Sequence, residues 1–479
     1  SSASSASSAS SASSLQNGHC SVSFVDDNSE EAGGQEEQDE QSALSPLSVR
    51  AMHIRFPNIS SWDFDVFNYT PQELGLAVFL IFRWFGCLEL FHVDEVVLAR
   101  FVSSVRERYH NNPYHNWQHA VDVMQTLAVV LSTFRASAFL SMLEVFALLT
   151  AALCHDIDHP GLNNAYQVAA QSDLAVRYND KGVLEQHHAA STTLLLRSPH
   201  TNITSRLPPA DTHTFRAVVT SSILNTDMAE HFNLLKQFQT LLGDQDPSLQ
   251  AAFKSNQLAD ANGIPSHPSS SSSSSSASAS ASAASSPTPT SPLHSSRLLS
   301  PSSPPPYHHP APHSPPSGQL QRVPAPRTSH TTTHPIRPEV RRVVASCLLH
   351  AADISNPCKA WRLSKRWSDR VATEFFIQGD VEKARGLPVS MNCDRSTTKQ
   401  PVMSLGFIDF IVAPLFVAVR NLLPAAASTV QTLSDNRDQW YGLLLEDLEK
   451  DTSTTEEEKE KARETWGARD NSYQQLLNP

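Results

Sequence analysis

The chain is poor in cysteine and has none at a pairing interval. Its six (Cys20, Cys87, Cys154, Cys347, Cys358 and Cys393) include no C-x-x-C. Such a scatter in a long chain reads as reduced thiols inside a cell, not as a disulfide frame. A basic surplus is missing too. Lys and Arg number 36 against 48 Asp and Glu, a net charge of -12. Neutralising nucleic-acid phosphates needs a basic face, so no nucleic-acid partner is expected. An anionic substrate would need a local cation to invert the field at its site. No secretory signal follows Ser1, and a cytoplasmic location is expected, with membrane attachment through an upstream region left open. The best membrane candidate, "LGLAVFLIFRWFGCLELF", is interrupted by Arg83 and reads as one buried helix, so no membrane segment is expected in this chain. Strand signals, alternation bounded by Asn-Gly or Gly-Gly, are absent from the core sequence.

What the chain does have is two kinds of sequence. Residues 1–48 repeat "SSASSASSAS" and turn acidic, and 255–335 run from poly-Ser into "PPPYHHPAPHSPP". Neither carries enough apolar content to offset the entropy of ordering, so both are expected to be disordered. Removing them leaves roughly 350 residues, enough for one large core in two parts, 49–254 and 336–479. Those parts read helical. Thr70-Pro71-Gln72-Glu73 is a capping box with proline in the first turn, and "EVFALLTAALCHD" is apolar nearly all round, as a buried helix is. The fold class expected is all-α. The apolar run "FIVAPLFVAVRNLL" fits either core or a homodimer surface, with core the expected reading.

Three stretches concentrate the polar chemistry: "YHNWQHAVDVMQT" with His115, His119 and Asp122, "LCHDIDHPGLNN" with His155 and Asp156, and "HAADISNP" with Asp353. Taken singly, each histidine is more often a hydrogen-bonded core residue than a ligand. Jointly, two imidazoles and two carboxylates without a thiolate suit a catalytic divalent ion with open positions. A carboxylate such as Asp156 can bridge to a second, harder ion, and two such ions clamp a phosphoryl group.

"YHNWQHAVDVMQT", "HDIDHPGLNN", "YNDKGVLEQHHAA", "TDMAEH", "HAADISNP" and "GFIDFIVAPLF" resemble, in order and wording, the class I 3′,5′-cyclic nucleotide phosphodiesterases of the HD superfamily. The resemblance runs over about residues 65–450 outside the inserted tract. It implies an all-helical catalytic domain that opens cAMP or cGMP to the 5′-monophosphate, with His119, His155, Asp156 and Asp353 as ligands of zinc and of magnesium or manganese. His115 would be the general acid, with Glu144 as its acidic partner. His159 and Glu185 would hold water at the ions, with Tyr114, Asn116 and Asn164 in support.

For the nucleotide, the resemblance implies a clamp of apolar side chains, Phe407 on one side with Val371 and Phe375 on the other, and a contact from Asn356. It also implies a purine-reading glutamine two residues before the Gly-Phe-Ile-Asp motif, where this chain has Ser404. A serine cannot make the two-point contact of an amide, so weak, dual-specificity binding is expected. Two rival readings stay open: a non-catalytic cyclic-nucleotide sensor, and an HD hydrolase of another phosphoester.

Overall fold

Thr70 caps the first long helix as its sequence predicts: its hydroxyl accepts from Glu73 N–H, and the Glu73 carboxylate accepts from Thr70 N–H at 2.7 Å. The computed structural model describes residues 55–243, 248–250, 252–253, 335–451 and 455–477. The 1–48 segment and, apart from its last residue, the 255–335 tract lie outside the described residues. In order the helices are α1 (Pro71–Trp84), α2 (Cys87–Phe91), α3 (Glu95–Glu107), α4 (Trp117–Ser132), α5 (Met142–Cys154), α6 (Asn164–Ala169), α7 (Asp173–Tyr178) and α8 (Val183–Arg197). There follow α9 (Pro209–Leu224), α10 (His231–Gly243), α11 (Pro338–Asp353), α12 (Trp361–Ala384), α13 (Gln400–Phe407), α14 (Ala413–Leu422), α15 (Ala427–Lys450) and α16 (Glu456–Leu477). Among the described residues there is no strand, as an all-α fold requires.

The segment read as one buried helix is two. Gly86, at φ +68, ends α1 and begins α2, a left-handed turn that glycine adopts without a Cβ penalty. Both halves are buried as expected, through Val78, Ile81 and Phe82 on α1 and Leu88 and Phe91 on α2.

The core centres on α5, which packs on α4 and α9, while α11 lies against α4 and α9. Phe146 of α5 stacks on Phe91 at 5.1 Å and meets Phe82 and Phe215 edge-on. Truncating such a ring costs about 3–5 kcal/mol. Two close approaches need glycine. A Cβ on Gly379, in the middle of α12, would fall 1.9 Å from the Cys393 carbonyl oxygen, where the 386–399 loop lies on the helix. Gly161, at φ +73, leaves room for the Asn112 amide. The five described cysteines are free and buried.

The run Gln400–Leu422 is, by length and composition, apolar enough to cross a membrane. It is nonetheless 56% buried and carries Asp409, in a π-helical turn at Ile408–Val412. That carboxylate pairs with Arg437 and Arg469, both at 2.7 Å. Within the run from Phe410 to Leu423, Val412, Leu415, Phe416 and Val419 are core, while Phe410 is 60% exposed.

Candidate metal centre

Three helix ends converge on one point. Asn116 caps α4 by accepting from His119 N–H at 3.2 Å, which fixes His119 in the first turn. His155 is the C-cap of α5, followed by Asp156, and Asp353 is the last residue of α11. The turns that lead to these ends, Ala147–Cys154 on α5 and Val344–Ala352 on α11, are buried, so the polar groups stand at a dry wall. His119 and His155 have no solvent exposure.

The donor atoms nearly touch. His119 Nε2 lies 3.2 Å from His155 Nε2, 3.3 Å from Asp156 Oδ2 and 3.2 Å from Asp353 Oδ1. His155 Nε2 lies 3.1 Å from Asp156 Oδ2 and 3.2 Å from Asp353 Oδ1. These five separations of 3.1–3.3 Å match the edge of a tetrahedron whose corners lie about 2.0 Å from its centre, the bond length of zinc to nitrogen or carboxylate. These four residues therefore make a set able to hold a metal ion. His155 Nδ1 donates to Ala152 O at 2.9 Å, which points Nε2 at the cluster and sets the ring in the orientation a ligand needs. Burial opposes charge on His155, but the Asp156 and Asp353 carboxylates outweigh it and hold its pKa well above the usual range. The same imidazoles hold both carboxyls well below theirs, against the effect of burial.

Only Asp156 Oδ2 faces that cluster. Oδ1 lies 3.8 Å from His188 Nε2, a buried atom without a protein partner, because His188 Nδ1 donates to Ile157 O at 2.6 Å. Burial pushes His188 down to about 4, so its ring is neutral. Glu185, one turn before His188 on α8, accepts from Asn164 Nδ2 at 2.9 Å, while Asn164 Oδ1 accepts from Leu184 N–H. Burial and then the Asp227 carboxylate raise Glu185 to about 7. Glu185 thus feels the Asp227 and, more weakly, the Asp156 carboxylate, which places acidic groups together on the His188 side of the first cluster.

His115 belongs to a separate group with His159 and Glu374. The Glu374 carboxylate, on α12, accepts three bonds: from Tyr114 N–H at 2.8 Å, His115 N–H at 3.1 Å and His115 Nδ1 at 2.5 Å. Burial alone would depress His115; Glu374, then Asp156, outweigh it and hold the ring at about 9. His159 stacks on it with centroids 4.0 Å apart, and burial together with the His115 charge pushes His159 well below the usual range. Its Nδ1 accepts from Gly161 N–H at 3.0 Å, which leaves the proton on Nε2. Asn112 ties the two segments, donating from Nδ2 to both the His115 and His159 carbonyls at 2.8 Å.

Glu144 is not the partner of His115. It caps α5, accepting from Ser141 N–H at 2.8 Å, and chelates Arg341 Nε at 2.8 and 2.9 Å. Ser141-x-x-Glu144 is itself a capping box, a signal that the sequence carried. Glu374 carries no such signal: it sits 259 positions from His115 in an amphipathic stretch where a glutamate looks like a solvated face. His188 does carry a signal, since it lies three residues after Glu185 on the same helical face.

The nucleotide residues are less tightly drawn together. Tyr114 Oη donates to Asn356 Oδ1 at 2.7 Å, and Val371, Phe375 and Phe407 are half-buried. Ser404 Oγ lies 3.0 Å from Ser368 Oγ, and Gln400 Nε2 donates to Ser368 Oγ at 3.0 Å and to Asp369 at 2.8 Å. The Gln400 amide is therefore already engaged by α12.

The family model described as 3′5′-cyclic nucleotide phosphodiesterase matches residues 114–433. The cyclic-nucleotide phosphodiesterase regA of Dictyostelium discoideum is 30% identical over 81% of this chain and 38% of its own length. The human high affinity cGMP-specific phosphodiesterase 9A is 27% identical over 88% of this chain and 56% of its own length. This chain thus spans 38% and 56% of those two relatives. The solved structure of LmjPDEB1 in complex with IBMX superposes with a TM-score of 0.62 at 25% identity, covering 85% of this chain and 97% of that one. A match that begins at Tyr114 and takes in the ends of α4, α5 and α11 leaves one reading of the kinship: this chain belongs to the 3′,5′-cyclic nucleotide phosphodiesterase family.

Proposed function

We propose that this chain hydrolyses 3′,5′-cyclic nucleotides to 5′-monophosphates with the help of two divalent cations. The observation that carries the reading is the two-nitrogen, two-oxygen cluster set beside a histidine that stays protonated at neutral pH. A sensor would need the pocket but not that acid. His119, His155, Asp156 and Asp353 would hold zinc, which accepts mixed imidazole and carboxylate ligands. Magnesium or manganese, a harder ion that keeps most of its waters, would be held through Asp156, with Glu185 holding those waters. When bound, such ions stabilise charge on phosphoryl oxygens and make water more acidic.

The chain's own residues then supply position and protons. His115 Nδ1 is tied to Glu374, so Nε2 is the atom free to donate. Water adds to phosphorus, the P–O3′ bond breaks, and its electron pair goes to O3′, which takes the His115 Nε2 proton. The proton released by the water restores His115. His159, neutral with its proton on Nε2, can orient that water without adding positive charge beside the acid. Because Ser404 can donate or accept by rotating its hydroxyl, it favours neither the 6-amino nor the 6-oxo edge, and both cAMP and cGMP should be substrates. An assay with cAMP, cGMP and a 5′-nucleotide, with and without chelator, tests this. Chelator-sensitive release of 5′-monophosphate from both cyclic nucleotides is expected; binding without turnover would leave the sensor.

A further inference from the structure

Asp122, one turn beyond His119 on α4, forms an ion pair with Lys359 at 2.6 Å, and the two side chains are 2% and 0% exposed. A buried ion pair contributes little net stability, and well-packed apolar residues of the same volume often do as well or better. What it supplies is a fixed geometry between the elements it joins. Here those elements are the two that deliver His119 and Asp353. Asp353 ends α11, a single turn of 3-10 helix follows at Asn356–Cys358, and Lys359 comes next. Between the same two segments run three links: His119 Nε2 to Asp353 Oδ1 at 3.2 Å, Asn356 Nδ2 to Asp122 Oδ2 at 3.3 Å, and Lys359 Nζ to Asp122 Oδ1.

The lysine end is anchored from behind. Asn436 Nδ2 donates to the carbonyls of Pro357 at 2.7 Å and Lys359 at 2.6 Å, and Trp62 Nε1 donates to Cys358 O at 2.8 Å. The aspartate end reaches back to the cluster, since Asn356 Oδ1 accepts from Tyr114 Oη and the Tyr114 ring lies 4.5 Å from that of His119. On the metal reading proposed above, on which this rests, we infer that Lys359 is a positioning residue: its pairing with Asp122 sets the separation of His119 and Asp353 and thereby the affinity for the ion. Apolar substitutes would fill the space but let α4 slide against the end of α11.

The test is metal uptake rather than turnover. The full chain is stripped and titrated with Zn²⁺ against a chromophoric chelator, and its melting temperature is followed in parallel. Lys359→Met leaves Asp122 buried without its cation and should both destabilise the fold and weaken Zn²⁺ binding. The neutral double variant Asp122→Asn with Lys359→Met removes both charges. It should recover most of the melting temperature yet bind Zn²⁺ about 10–100-fold more weakly than the unaltered chain, the usual cost of losing support behind a ligand. A double variant that binds Zn²⁺ like the unaltered chain overturns the positioning role alone. An unaltered chain that takes up no Zn²⁺ overturns the metal reading and this inference with it.

Discussion

His115 and His119 are one helical turn apart in sequence, yet they serve two unlike neighbourhoods. Around His119, two imidazoles and two carboxylates turn nitrogen and oxygen atoms inward to within 3.1–3.3 Å of one another. Around His115, one carboxylate is spent on one ring, and a second ring stacked 4.0 Å away is kept neutral. The difference teaches that the residue type does not assign the role. The carboxylates facing each ring do: Asp156 and Asp353 turn His119 and His155 into an ion cradle, while Glu374 turns His115 into a proton donor.

Breaking the cradle should have the largest effect. His155→Ala should empty the cluster of metal and, since bound ions supply several kcal/mol of charge stabilisation, lower turnover roughly 10⁴-fold or more. Metal analysis of the purified variant checks the cause; full occupancy would contradict the ligand assignment. Breaking the acid side should separate the two regions. His115→Ala should keep its metal and lose turnover by about 10²–10⁴-fold, and parallel metal and rate measurements decide.

Glu374→Gln sharpens the comparison further. Without ions the carboxylates, Glu374 first, hold the acid at about 9; cations on Asp156 and Asp353 would lower that, so the alkaline limb of kcat/KM should lie at or below about pH 9. Without the carboxylate the burial cost on the imidazolium remains while its main compensation is gone. The alkaline limb should therefore move to lower pH, and at pH 7 the rate should fall by about tenfold. A limb that does not move from its place in the unaltered chain would show that another group sets it. The smallest effect is expected at Glu144. Glu144→Ala should cost about 1–2 kcal/mol of stability, read as a lower melting temperature, and leave kcat within about twofold. A large loss of kcat would restore Glu144 to the acid's side.

Much of the cradle was legible because its members stand out. His155 and Asp156 close an otherwise apolar helix, and Asp353 closes the buried second half of another, so polarity at those ends calls for an explanation. The helical class followed from capping residues and 3.6-residue periodicity. Partnerships across the chain were not legible. Glu374 meets His115 and Lys359 meets Asp122 only after α12 and the end of α11 have packed on α4, and nothing local distinguishes those residues from surface charges. The break at Gly86 was hidden by the apolar residues on both sides, which look the same in one helix or two. At Ser404 the sequence revealed a substitution, and the hydroxyl relay to Ser368 and Gln400 came from packing alone.

One consequence follows from the way His155 is held. Its Nδ1–H is committed to the Ala152 carbonyl, and without an ion the neighbouring carboxylates keep a second proton on the ring. A cation can take its place only by displacing that proton into solvent. Loading is thus an exchange: acid should compete with the metal for the cradle, and a neutral or alkaline medium should favour filling it.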